Sequence, residues 1–181
     1  MDGQAHPGLV RFFDGLVRRS FGELGLREAE VTDYVVNLLA RSARTDALYR
    51  VGELKGKRLE TVVELLMEAQ GVPVSPNGVL RERDVRQHIG DYALFMSGIF
   101  RAYAERHGFL GFYLEAGEQA YRETAKLDRQ LYRPGAACFE ALAGDFERLS
   151  GALDYMRKVY FYSAAMQHSY SDLLERFQYW N

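Results

Sequence analysis

Residues Leu80 to Arg129 read LRERDVRQHIGDYALFMSGIFRAYAERHGFLGFYLEAGEQAYRETAKLDR, and this stretch decides the fold. Val85, Ile89, Tyr92, Met96, Ile99 and Tyr103 recur at alternating spacings of four and three, the period of one face of an α-helix. The spacing predicts a helix from about Leu80 to His107. Gly108 stands where that helix would end, since glycine takes the left-handed conformation that closes a helix without steric cost. A second helix is expected from Leu110 to about Arg129. The very short turn between them sends it back against the first, as an αα-hairpin.

The same period continues on both sides. Arg133-Pro134-Gly135 interrupts the chain, and one helix is then expected from about Ala137 to Met166. It carries Phe139, Leu142, Phe146, Leu149, Leu153, Met156 and Tyr160 at heptad-like spacing. A last amphipathic piece runs from Ser171 to Trp180. Towards the N-terminus, Gly71-Val72-Pro73-Val74-Ser75-Pro76-Asn77-Gly78 cannot continue a helix. It is too short to divide domains and reads as a loop, 71–78. Before it, Leu9, Phe12, Phe13, Leu16 and Val17 mark a helix that follows Pro7 and ends near Gly22. Val31, Tyr34, Val35, Leu38 and Leu39 mark a second, from about Arg27 to Arg44. Thr45-Asp46 suits the N-cap of a short piece, Ala47 to Val51. Leu59, Val62, Val63, Leu66 and Met67 mark another helix after the turn at Lys55-Gly56-Lys57. The expected fold is all-α: a single-domain helical bundle, 1–181, of about six to eight helices around a central antiparallel helical hairpin.

Composition narrows the function classes. The chain of 181 residues is 48% hydrophobic and 27% charged, with four prolines, which is ordinary for one globular domain. A net charge of -2 gives no general attraction to nucleic acid or to an anionic membrane. Cys138, the single cysteine, cannot form an internal disulfide and fits a reducing compartment. The longest apolar stretch, Tyr92 to Phe100, contains Ser97 and Gly98 and falls far short of the roughly 20 residues of a spanning helix. The start, Met1 to Pro7, lacks the basic and apolar segments of a signal peptide. The expectation is a cytoplasmic protein with no membrane partner.

The block Gly90-Asp91-Tyr92-Ala93-Leu94-Phe95-Met96-Ser97-Gly98-Ile99-Phe100 is the strongest local feature. On a helix, Asp91, Leu94, Gly98 and Ala102 lie near one another, on a face distinct from the Val85–Tyr103 seam. Glycine inside a helix costs up to about 1 kcal/mol relative to Ala, so close approach of another helix is the expected reason for it. Folding at Gly108 places Gly98 opposite Gly117 to Ala120. Asp91 is expected to be largely buried and to accept a hydrogen bond from Tyr121 or Thr124. The sharper alternative makes His88, Asp91, Tyr92 and Tyr121 a ligand-binding pocket.

The pattern Gly90-Asp91-x-Ala-Leu-Phe-x-Ser-Gly, followed by Tyr113-x3-Gly117-x2-Ala120-Tyr121, resembles an uncharacterised group of all-helical bacterial proteins. The likeness covers about residues 80–160. It implies fold and helical pairing and no activity.

Other constellations are weaker. Asp84, His88 and Asp91 can share a helix surface, with Glu115 and Glu118 on the next helix. However, no Glu-x-x-His occurs, and the hairpin sets those glutamates opposite residues 99–102, so neither a metal nor a cofactor is expected. Ser97 is not in a Gly-x-Ser-x-Gly elbow, Cys138 reads as a small core residue, and His107 suits a helix C-terminus. No phosphate-binding glycine loop occurs, and His6 and His168 have no acid-base companions. Residues 41–58 hold Arg41, Arg44, Arg50, Lys55, Lys57 and Arg58 against Asp46 and Glu53, a net of +4. Such a stretch can hold phosphate or RNA weakly, but a solvated surface explains it more simply, so nucleic acid is not the expected partner.

The C-terminal quarter is rich in aromatic residues. Phe161, Tyr170, Phe177, Tyr179 and Trp180 are candidates for an interface. The leading expectation is a non-catalytic protein that binds protein, including itself as a homodimer. It would use the Phe139–Tyr160 stripe, the aromatic C-terminal segment, or both. A small-molecule or enzymatic pocket around Asp91 is the alternative.

Overall fold

The structure, a computed structural model, describes residues 7–43, 61–64, 67 and 78–161. Every element among them is helical. Pro7 opens α1, Pro7–Glu23, at the position where a missing N–H leaves nothing unpaired. The Gly25 N–H donates to Gly22 O and the Leu26 N–H to Phe21 O at 2.9 Å. With Gly25 at φ +74°, this is a Schellman ending. α2 is Ala29–Ser42 and packs on α1. Residues 61–64 and 67 are also helical, and Val62, Val63 and Met67 are buried as expected.

The hairpin is built from α3 (Gly78–Gly98), α4 (Arg101–Arg106) and α5 (Leu110–Gln130). α3 and α5 form the most extensive contact among the described elements. Gly108 closes α4 as expected: φ is +72°, and the Phe109 N–H donates to Ala104 O at 2.7 Å. Two expectations need correction. The helix foreseen from Leu80 to His107 is interrupted at Ile99–Phe100, where Phe100 leaves helical geometry at φ -106°, ψ 33°. A straight helix turns consecutive side chains about 100° apart. The break instead lets both Ile99 and Phe100 sink into the core, at 0% and 5% exposure. The register also differs. Arg83 meets Asp128 and Asp91 meets Tyr121, whereas the partner of Gly98 is Leu153, outside the hairpin.

α6 (Ala136–Gly144) folds back on α5, and α7 (Phe146–Met156) crosses α3 and reaches α1. Arg157–Phe161 follows as a π-helical turn. The helix expected from Ala137 to Met166 is therefore divided at Asp145, which has φ -105°. Its heptad-like stripe nevertheless keeps its purpose. Phe139, Leu142, Phe146, Leu149, Leu153 and Met156 are all buried within this one chain, each contributing about 1.5–3 kcal/mol by leaving water. Those six positions form bundle core and are not an open seam. They join Phe13, Val17 and Phe21 of α1 and Leu38 and Leu39 of α2 in one contiguous cluster. The expected short piece 47–51, the loop residues 71–77 and the C-terminal piece 171–180 lie outside the described residues.

Candidate functional site

Asp91 lies on α3 with its side chain 13% exposed, where α2, α3 and α5 meet. Its Oδ1 accepts from the Tyr34 hydroxyl of α2 at 2.6 Å and from the Tyr121 hydroxyl of α5 at 2.8 Å. Its Oδ2 accepts from Arg41 Nη2 at 3.4 Å. The Arg41 guanidinium also stands 5.9 Å from the centre of the Tyr34 ring. One carboxylate thus ties three helices together. Burial first, and the Asp91 charge second, push both tyrosine hydroxyls well above their ordinary pKa, so each remains a neutral donor at neutral pH.

The glycine beside Asp91 makes this geometry possible. A Cβ at Gly90 would overlap the Tyr121 ring, so its absence lets the ring lie on the α3 backbone and the hydroxyl reach Asp91. Gly98 and Gly117 follow the same rule with other partners. A Cβ on Gly98 would stand 2.7 Å from Leu153 Cβ, and one on Gly117 would overlap the Phe146 ring. The glycines of the 90–121 pattern are sockets for large side chains.

A second polar layer adjoins the first. Gln87 Nε2 donates to the Tyr34 hydroxyl at 2.9 Å, and Gln87 Oε1 accepts from Arg83. Arg83 makes a bidentate pair with Asp128, through Nε at 2.7 Å and Nη2 at 3.1 Å. It also reaches Asp84 at 3.2 Å and lies 5.3 Å from the centre of the Phe139 ring. The Asp128 side chain is fully buried, and Arg133 stands 3.6 Å from it at the end of α5. Burial works against the Arg83 charge, but Asp128 and then Asp84 more than offset it and hold its pKa above the ordinary value. A buried charge that is matched and hydrogen-bonded in this way is tolerated. Arg83, Gln87 and Asp91 share a stripe because they recur every four residues.

Of the four residues foreseen as a ligand pocket, the fold unites Asp91 and Tyr121. His88 turns its Nδ1 to the Asp84 carbonyl at 2.8 Å. Tyr92 lies edge-on to Tyr113, with ring centroids 5.9 Å apart. Thr124 donates to the Ala120 carbonyl and not to Asp91. Sequence reasoning missed Tyr34, Arg41, Gln87, Arg83 and Asp128. The one available signal was the polar series 83, 87 and 91 on a helix otherwise rich in apolar residues.

Other candidates are placed as follows. Ser97 Oγ donates to the Leu94 carbonyl. The Cys138 thiol is half-buried and pushed up to about 11, by burial first and then by Glu30 and Glu28, so it stays protonated near neutrality. Phe161, foreseen at an interface, is fully buried in the core. Tyr170, Phe177, Tyr179 and Trp180 lie outside the described residues, as does most of the basic stretch 41–58. Within that stretch, Arg41 is engaged with Asp91. Among the described residues, no three His, Cys, Asp or Glu side chains are grouped to hold a metal ion. None of the described helices is long and apolar enough to cross a membrane.

Fold and site together define an all-α helical bundle whose buried carboxylates act as interhelical clamps. In comparisons with known proteins, no family model, curated protein or solved structure matches the chain.

Proposed function

We propose that this is a non-catalytic helical protein that works by binding protein, including a second copy of itself. The observation that carries the reading is an aromatic run at the tip of the α4–α5 hairpin, in which His107 and Phe112 are exposed and Tyr103 and Phe109 are half-buried against the core. Tyr103 lies against His107, with ring centroids 4.2 Å apart, and His107 stacks on Phe109. Phe109 and Phe112 both lie against Tyr113, and Phe112 is 53% exposed. Large rings with one wet face supply much of the binding energy at protein interfaces. The Asp91 cluster is spent on joining helices, which supports the same reading. The resemblance of residues 80–160 to a group of helical bacterial proteins carries no activity and adds nothing here. Light scattering at micromolar concentration tests self-association: a mass of about twice 20.7 kDa is expected, and a monomer overturns it.

A second reading retains a small-molecule site at Asp91. Its support is the Oδ2 atom, held by the 40% exposed Arg41 side chain at 3.4 Å, a long contact that a ligand cation could replace. Under this reading an amine or guanidine raises the melting temperature of the wild type and not that of Asp91→Asn. Under the first reading neither protein shows such a shift.

A further inference from the structure

A π-helical turn is rare, and such turns occur mostly at functional sites. Arg157–Phe161 is one, and its first residue keeps a buried Nε–H with no acceptor, a cost to the fold. What the turn achieves lies at the surface. On a regular α-helix the side chains of Tyr155 and Tyr160 would point about 140° apart. Here both reach one carboxylate at the end of α1. The Tyr155 hydroxyl donates to Glu23 Oε2 at 2.9 Å, and the Tyr160 hydroxyl to Glu23 Oε1 at 2.5 Å. The two rings stand at 85°, with centroids 6.3 Å apart. Donation from Tyr160, and then from Tyr155, holds the Glu23 carboxyl below the usual carboxylate range, so it is charged at neutral pH.

A cation already sits in this corner. Arg19 places its guanidinium 4.7 Å from the centre of the Tyr160 ring and its Nε 3.5 Å from Glu23 Oε1, yet its side chain is 68% exposed. The set repeats the Asp91 cluster: two tyrosine hydroxyls on one carboxylate, with an arginine over one of the rings. At Asp91 the set is buried and joins helices. At Glu23 the carboxylate side chain is 40% exposed, and a wet ion pair of this kind adds little to stability. We propose that the corner of Glu23, Tyr155 and Tyr160 is a binding site for a guanidinium group, with Arg19 as its displaceable resident. The Tyr160 face attracts the cation and the carboxylate pairs with it. The two hydroxyls fix the carboxylate beforehand, so little freedom is lost on binding. The site is independent of self-association.

The test is calorimetric titration of the full chain with blocked arginine, N-acetyl-argininamide. In the wild type Arg19 holds the corner, and binding is too weak to shift the melting temperature. Arg19→Ala binds at least about tenfold tighter, as expected when a resident occupies the site about nine-tenths of the time. Blocked citrulline, which keeps the shape and lacks the charge, does not bind this variant. Glu23→Gln in the Arg19→Ala background weakens binding of blocked arginine at least about tenfold, while circular dichroism shows the helices intact. A pentapeptide with one arginine among alanines separates the sources: tighter binding than blocked arginine assigns the site to a protein segment, and equal binding assigns it to a free guanidine. Arg19→Ala that binds no tighter than the wild type overturns the site, as does equal binding of citrulline. Binding that Glu23→Gln retains and Asp91→Asn loses belongs to Asp91 and overturns it as well.

Discussion

At Asp91 the decisive quantity is how much a buried carboxylate loses when its partners go. Two tyrosine hydroxyls and one guanidinium hold it, and hydrogen bonds to a charged group contribute about 1.5–3 kcal/mol each. Tyr121→Phe removes one donor and keeps the ring, so a loss of that size is expected in urea denaturation. Asp91→Ala leaves the Tyr34 and Tyr121 hydroxyls without their acceptor and should cost about 1–3 kcal/mol for each. Wild-type stability in Asp91→Ala would refute the clamp. Gly90 allows a sharper comparison, because its sign is diagnostic. In an open helix position Gly→Ala stabilises by up to about 1 kcal/mol, which is the expectation for Gly15, where a Cβ meets nothing. At Gly90 the added methyl meets the Tyr121 ring, and overpacking should make the change destabilising by about 1–3 kcal/mol. If both alanine variants gain stability, the socket is wrong.

At the scale of one element, the ends of the helices carry the information. α1 and α4 close on Gly25 and Gly108 with positive φ. α5 closes by the same hydrogen-bond pattern, with the Arg133 N–H donating to Asp128 O at 2.8 Å. The left-handed residue there is Tyr132, at φ 52°, with its side chain in water at 96% exposure. A side chain in that conformation costs about 1–2 kcal/mol, and Tyr132 buries nothing in return. Tyr132→Gly should therefore raise stability by about 0.5–1 kcal/mol, the remainder going to the greater freedom of glycine in the unfolded chain. A lower melting temperature for that variant would show that the ring has a contact worth more than the strain.

Across the whole molecule the buried tyrosines couple stability to pH. Tyr34 and Tyr121 are raised well above the ordinary value of 10.0 by burial and then by Asp91. Tyr92 is raised by burial and then by Tyr113. Below pH 10 the folded and unfolded chains bind these protons equally, and the stabilisation is fully present. Above it the unfolded chain releases protons that the fold retains, so stability falls as pH rises and is lost through the folded pKa values. Alkaline titration should show a cooperative step in tyrosinate absorbance coincident with loss of helical circular dichroism. Complete ionisation with the helical signal intact would contradict the burial of these hydroxyls.

Periodicity by itself determined that the described residues are helical, where α2 and α5 run and that Gly108 turns the hairpin, and it narrowed the partner of Asp91 on α5 to Tyr121 or Thr124, of which the structure shows Tyr121. These are local matters: a period of 3.6 residues marks the apolar face, and a very short turn leaves the second helix one direction. The tertiary structure alone decided what covers each face. Tyr34 and Arg41 reach Asp91 from 57 and 50 residues away, and nothing in their own segment marks them for it. Gly98 was legible as a close approach, but its partner Leu153 lies on α7, beyond the hairpin in which it was sought. The Phe139–Tyr160 stripe could equally have faced a second subunit. Its largely buried side chains instead face the core of their own chain, because α6 and α7 separate at Asp145 and wrap α5, α3 and α1 in turn. An amphipathic pattern specifies that a face must be covered, and only the packing of the whole chain specifies by what.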